Sequence, residues 1–276
     1  MNTNRYLELR SEAIIGQLEC ELIEQEDYFV FRTPANPTYH YGNLLCLKVP
    51  LNSYSKTQWQ QHFSSAFHDM PLVEHYTFCW PRALETEQVK NDFIDHGFSY
   101  EEVHVLSLLR KSFETPQEQN TEVTLRPLTT DNDWQQWLEL SLAEQQGDYD
   151  QTSLRHFLTA RMANYQALDH GGQGQYLGAF NADQLIGYAG LYHKNELARF
   201  QNVHVISKYQ NQKIAKTLLS KLIAQAPAEV TTFVIVADEH YHATKLYQGL
   251  GFKVTERNCS VSWWPESQRV QDEEQA

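Results

Sequence analysis

The chain has few cysteines, and none of the four (Cys20, Cys46, Cys79 and Cys259) belongs to a CxxC pair. That argues against a zinc ribbon or a dithiol redox centre. With no apolar leader in the opening MNTNRYLELR, it points to reduced thiols in a cytoplasmic protein. Long apolar runs are also missing: no stretch approaches the ~20 residues that span a bilayer, so no membrane partner is expected. Basic residues are scarce, with 22 Lys and Arg against 35 Asp and Glu and a formal net charge of −13 over 276 residues. Such a surface repels phosphate backbones and anionic lipid, which excludes nucleic acid as a non-specific partner. It suits a cationic or amine substrate, although solubility alone also accounts for acidity. Disorder is excluded as well, because apolar residues make up 41% of the chain and Tyr and Phe are plentiful, enough for a packed core.

What is present reads as two α/β halves. In the first, residues 7–21 predict a helix, 28–31 a strand, 44–49 a buried strand, and 55–67 a helix with Trp59, Phe63 and Phe67 four apart. Ser55 followed by Gln58 suggests a capping box for that helix. A strand at 75–79, a helix over 86–96 stopped by Gly97, and a strand at 103–109 complete the half. Residues 111–123 (KSFETPQEQNTEV) are polar and aperiodic, so a linker is expected there and a domain division at 1–115 and 116–276. The second half predicts a strand at 123–128, a helix capped by Asp131 or Asn132, a helix over about 152–168, a hairpin from Tyr176 to Tyr192, and a strand at 197–206. A buried strand at 231–236, a short helix from His242 to Leu250 stopped by Gly251, and a final strand or pair over 254–264 follow. Both halves end a helix in Gly-Phe, at Gly97-Phe98 and Gly251-Phe252, a weak sign of a duplicated fold. Trp263-Trp264 suggests edge-strand packing or a contact in a homodimer.

The chain is organised around residues 203–223, VHVISKYQNQKIAKTLLSKLI. A strand end, Val203-His204-Val205-Ile206, passes through a polar turn into a helix with Ile214, Leu218, Leu219, Leu222 and Ile223 on one face. Such a junction aims free backbone N–H groups at one point and attracts an anion, usually a phosphate. Other constellations are weak. His240 and His242 stand two apart and do not face one metal, so no metal is expected, and no Ser-His-Asp order emerges from the scattered histidines.

Two segments resemble the GNAT (GCN5-related) N-acetyltransferases over roughly residues 122–256. Gln210-x2-Lys213-x-Ala215 is similar to that family's acetyl-CoA signature, with Lys213 in the place of a glycine. Ala243-x2-Leu246-Tyr247-x3-Gly251-Phe252 matches a second family pattern, with His240 where many members have Asn. Ala198-Arg199-Phe200-Gln201 looks like a subgroup of the same family. The resemblance implies an α/β (α+β) fold: a GNAT-like mixed, mainly antiparallel sheet with a splayed strand pair, preceded by a second α/β domain read as a degenerate copy. It implies acetyl-CoA as acyl donor and a primary amine as acceptor. Val203 and Val205 would pair with the pantetheine arm through their backbone, His204 lying between them, and a backbone N–H would stabilise an oxyanion. Gln210, Asn211, Gln212, Lys213, Ile214, Ala215 and Lys216 would hold the pyrophosphate, and His240 and Ala243 would complete the cofactor contacts. Lys213 offers a cation for a phosphate, with Lys208 and Lys216 as competitors, and as an N-terminal helical residue it should need no positive φ.

By the same resemblance Tyr247 faces the sulfur and protonates the departing thiolate; the alternative is a core tyrosine. No general base is evident. The family's usual positions hold Arg199 and Gln201, strand alternation points His204 to the other face, and Glu144, Asp148 and Asp150 are candidates, directly or through water. The leading expectation is an acetyl-CoA-dependent N-acetyltransferase. The alternatives are a non-catalytic acyl-CoA-binding regulatory module and a plain interaction protein.

Overall fold

Capping chemistry places the helices. In the computed structural model, which describes residues 6–145, 150–238 and 243–265, the chain groups into two compact units, each made of three segments. One, here the C-terminal unit, comprises Met1–Ile15, His104–Ala143 and Arg161–Glu256; the other, the N-terminal unit, comprises Gly16–Val103, Glu144–Ala160 and Arg257–Ala276. No single cut near residue 115 separates them. Helix α1 (Leu7–Ile15) is the clearest case: it belongs to the C-terminal unit although it comes first in the chain. It is also shorter than the helix expected over 7–21. The chain turns at Gly16, whose carbonyl accepts the N–H groups of Glu19 and Cys20, and a Cβ at Gly16 would come within 2.1 Å of the Cys20 Sγ.

In the N-terminal unit β1 (Glu21–Glu24), β2 (Tyr28–Arg32) and β3 (Leu44–Leu47) pair antiparallel in succession. Helix α2 (Lys56–Ala66) crosses to β4 (Tyr76–Pro81), which lies parallel to β3 through Leu45–Phe78 and Cys46–Cys79. The α2 N-terminus carries the expected capping box: the Ser55 hydroxyl accepts the Gln58 N–H and the Gln58 side chain accepts the Ser55 N–H. Helix α3 (Glu87–Asp95) ends at Gly97, held at φ 83°, and β5 (Ser99–Leu109) follows. The core is aromatic: Trp59, Phe63, Phe78, Trp80 and Phe93 are fully or almost fully buried.

The C-terminal unit repeats this order. Strands β6 (Thr124–Pro127), β7 (Gly174–Asn181), β8 (Gln184–Lys194) and β9 (Leu197–Val205) pair antiparallel in succession. After helix α6 (Ile214–Gln225), β10 (Thr232–Asp238) returns parallel to β9. Between β6 and β7 in the chain come α4 (Asp131–Glu144) and α5 (Gln151–His170), and after β10 come α7 (Ala243–Gln248) and β11 (Lys253–Trp263); α5 up to Ala160 and β11 from Arg257 belong to the N-terminal unit. The cap of α4 is not Asp131 or Asn132. Thr130 and Asp133 form the box, with the Thr130 Oγ1 accepting the Asp133 N–H and the Asp133 carboxylate accepting the N–H groups of Thr129 and Thr130. The same carboxylate takes a bidentate pair of 2.7 Å bonds from Arg126, and that guanidinium holds the Asp133 carboxyl well below the usual range. Trp263 packs 5.9 Å from Tyr76, with β11 paired along β4, so it lies within the paired strands rather than on an edge.

Two layers cover the C-terminal unit's strands. On one face α6 buries Ile214, Leu218, Leu219, Leu222 and Ile223 against Leu177, Ile186, Leu191, Phe200 and Phe233. The opposite face carries ring contacts among Trp134, Trp137, Tyr165, Tyr176, Tyr188 and Tyr192, all buried. That alternation of aliphatic and aromatic faces is what β7 and β8 encode residue by residue.

Candidate active site

The site forms where β9 and β10 part. Their parallel register runs through Leu197–Thr232, Ala198–Phe233 and Arg199–Val234 and goes no further among the described pairs, while β9 continues to Val205 on β8. The Ile206 N–H donates to the Ile186 carbonyl at 3.0 Å. Antiparallel bonding alternates, so the backbone groups of Val205, and of Val203 two residues earlier, turn away from β8 toward the side that β10 has left.

A bulge interrupts β9. The register passes from Gly190–Gln201 to Tyr188–His204, so β9 spends one more residue than β8 over this step, and Asn202 sits at φ 45°. A bulge of this kind resets the alternation of side chains. Phe200 lies on the α6 face beside Leu191, and Gln201 lies opposite Gly190 on the aromatic face. His204 pairs with Tyr188, their rings 5.4 Å apart, and Tyr188 belongs to the aromatic layer. His204 therefore shares a face with Arg199 and Gln201. The expectation that alternation sends it to the other face is overturned by the extra residue.

The turn that follows is braced by its own glutamine. The Gln210 Nε2 donates to the Val205 carbonyl at 3.0 Å and its N–H to Ser207 at 3.2 Å. Two left-handed residues, Asn211 at φ 61° and Lys213 at φ 63°, then swing the chain into α6. Lys213 is the N-cap of α6, not its first helical residue, and it does adopt a positive φ. The expectation that it needs none fails, because the turn changes direction at that position. A non-glycine residue there costs about 1–2 kcal/mol, which explains a glycine preference in motifs of this shape. The first helical bond runs from the Thr217 N–H to the Lys213 carbonyl, so the N–H groups of Ile214, Ala215 and Lys216 come before any intrahelical acceptor. No side chain caps this helix end.

The expected linker lies across this turn. The Asn120 N–H donates to the Thr217 Oγ1 at 2.8 Å and its Nδ2 to the Gln212 carbonyl at 3.0 Å, and Glu118 meets the Lys213 Nζ at 2.7 Å. That ammonium holds the Glu118 carboxyl below its usual range.

Tyr247 is buried on α7 within the α6-face cluster, its ring 6.3 Å from Phe252. The Phe252 N–H reaches back to the Tyr247 carbonyl at 3.1 Å, and Gly251 at φ 93° closes the helix. Ala243 opens α7; His240 and Asp148 fall outside the described residues. Arg199 is spent on α1: its Nη1 donates to the Ser11 Oγ at 2.9 Å and its Nη2 lies 3.4 Å from Glu12. Asp150 accepts the Ser153 N–H at 2.8 Å, the α5 N-cap contact that holds its carboxyl low.

The family described as Acetyltransferase (GNAT) domain matches residues 145–265. The chain carries a GNAT domain. The fold is shared by solved structures of low identity. A functionally unknown conserved protein from Staphylococcus epidermidis is 15% identical, with a TM-score of 0.71 over 89% of this chain and 94% of that one. A GCN5-related N-acetyltransferase from Kribbella flavida is 10% identical, with a TM-score of 0.63 over 95% of each chain. A tandem GNAT protein from the clavulanic acid biosynthesis pathway is 14% identical, with a TM-score of 0.52 over 75% of this chain and 69% of that one. No curated protein matches the sequence. Among the described residues no helix is long and apolar enough to cross a membrane, and no cluster of His, Cys, Asp and Glu is arranged to hold a metal ion.

Proposed function

We propose that this GNAT protein is a cytoplasmic enzyme that moves an acetyl group from acetyl-CoA to a primary amine of a small molecule or peptide. The observation that carries this reading is the parting of β9 from β10 beyond Arg199–Val234, next to a helix end that no side chain caps. The opening suits an extended thioester arm, and the helix end suits its phosphates. Acetyl-CoA supplies an activated acetyl group. The backbone of Val203 and Val205 binds the arm as an added strand would, and a backbone N–H there stabilises the negative charge that develops on the carbonyl oxygen. Asn211 to Lys216 receive the pyrophosphate, with the Lys213 ammonium exchanging Glu118 for a phosphate oxygen. Gln210 acts from behind, fixing the turn through Val205. His240 and Ala243 complete the contacts, and Tyr247 gives its proton to the departing thiolate. The C-terminal unit acts as the acetyltransferase domain, and the N-terminal unit is a degenerate copy of it.

The test is release of free thiol from acetyl-CoA across a panel of primary amines: alkyl amines, polyamines, amino acids and amino sugars. Amine-dependent release supports the reading, and its absence with intact binding removes it. A second reading, a non-catalytic acyl-CoA-binding module, is favoured by the cationic Arg199 and the amide Gln201 on β9, neither of which accepts a proton at neutral pH. It predicts a thermal shift with acetyl-CoA and no thiol release.

A further inference from the structure

Resting on the acetyltransferase reading, we propose that His204 is the general base that takes the proton from the acceptor amine. The argument begins with the bulge. On β9, Arg199 at the last pair with β10, and Gln201 and His204 beyond it, share the aromatic face. Arg199 is a guanidinium tied to Ser11 and Glu12, and Gln201 is an amide. Of these three side chains only the imidazole carries a ring nitrogen whose lone pair can take a proton. His204 also lies past the last β9–β10 pair, next to Val205, whose backbone faces the opening. Its side chain is half-buried, held against Tyr188 but not sealed in the core.

The placement has a chemical logic. Tyr247 belongs to the cluster on the α6 face, and His204 stands on the opposite one. An acyl transfer needs a proton removed where the amine enters and a proton delivered where the thiol leaves, and groups on opposite faces of a parted strand pair separate the two. The amine nitrogen forms the new N–C bond to the acetyl carbonyl carbon, and the carbonyl π pair moves to oxygen. His204 takes one N–H proton. The carbonyl then re-forms, the C–S bond breaks with its pair on sulfur, and Tyr247 protonates that sulfur. The proton on His204 passes to solvent, and solvent reprotonates Tyr247.

Tyr188 and the charged groups of the same face set the surroundings of this strand. Tyr188 faces it from β8, with its hydroxyl 2.9 Å from the Ser141 Oγ on α4. Arg199 lies on its own strand, paired with Glu12 of α1, and Arg161 of α5 lies 3.9 Å from the same Glu12.

His204→Gln and His204→Ala test the assignment with the best amine of the panel. The expected result is a roughly 10²-fold or larger fall in kcat, loss of the wild-type decline in kcat/KM on the acid side, and partial rescue of His204→Ala by added imidazole. The melting temperature and the acetyl-CoA affinity measured by calorimetry should stay at wild-type values. A variant that keeps wild-type kcat, or keeps the acid-side decline, overturns the proposal while leaving the acetyltransferase reading in place. If wild-type protein binds acetyl-CoA but releases no thiol with any amine, both fall. If His204→Gln lowers kcat only in proportion to lost folding or lost acetyl-CoA affinity, the residue is structural and the proposal is overturned.

Discussion

Two helix ends in this molecule close with the same hydrogen bonds and different side chains. In the N-terminal unit the Phe98 N–H reaches the Phe93 carbonyl at 3.2 Å and Gly97 sits left-handed at φ 83°; in the C-terminal unit the Phe252 N–H reaches the Tyr247 carbonyl at 3.1 Å and Gly251 sits at φ 93°. Phe93 thus occupies the place of Tyr247, buried and without a hydroxyl. The backbone bonds of the corner therefore close with or without a hydroxyl at that place. The junctions after the paired parallel strands differ in the same sense. Ser55 and Gln58 close the α2 N-terminus with a capping box, whereas α6 begins at an uncapped, left-handed Lys213. One unit closes its helix end with side chains, and the other leaves its helix end without a side-chain cap.

The strongest way to sharpen the comparison is to make the two corners alike. Tyr247→Phe should lower kcat by roughly 10²- to 10⁴-fold, the usual share of a general acid, with little change in melting temperature or acetyl-CoA affinity. A large loss of stability instead would mean that the hydroxyl belongs to the core.

The units should also respond to pH in opposite directions. Burial depresses His75 in the N-terminal unit to about 3 and raises Asp169 in the C-terminal unit to about 6, the latter despite a 2.7 Å bond from the Tyr192 hydroxyl. Below about pH 6.5 the unfolded chain binds a proton at His75 that the folded unit refuses. Stability there falls as pH drops toward 3, by several kcal/mol at most. For Asp169 the unfolded carboxyl ionises near 4 and the folded one near 6, so stability falls as pH rises between those values, by about 3 kcal/mol at most. Hydrogen exchange resolved by segment reads the two slopes separately. Asp169→Asn should flatten the second slope, and equal slopes of one sign in both units would break the contrast.

The smallest effects concern the helix ends. Ser55→Ala should cost about 1 kcal/mol of stability and leave acetyl-CoA binding untouched. Lys213→Gly should add about 1 kcal/mol by relieving the left-handed backbone. Chemical denaturation reads both, and a destabilised Lys213→Gly variant would show that the Glu118 pair outweighs the strain.

Much of this was legible in the residues. Helical spacing in 214–223, the Ser55–Gln58 pair and the two Gly-Phe corners each encode their structure locally, and all stand where expected. Three features were not legible. The bulge at Asn202 leaves no mark in composition, because Val203, His204 and Val205 read as ordinary strand, yet one added residue moves His204 to the other face. The left-handed turn at Lys213 is set by the path from strand to helix, not by the lysine's own preference. The membership of α1 in the C-terminal unit depends on contacts such as Ser11–Arg199, which join residues 188 apart in sequence.

The most direct measurement is thiol release from acetyl-CoA with the amine panel, run side by side on wild type and Tyr247→Phe. The account predicts amine-dependent release by the wild type and a loss of at least roughly 10²-fold in the variant, with equal acetyl-CoA affinity in both. Tight acetyl-CoA binding with no release by the wild type, or equal release by the two proteins, would contradict it.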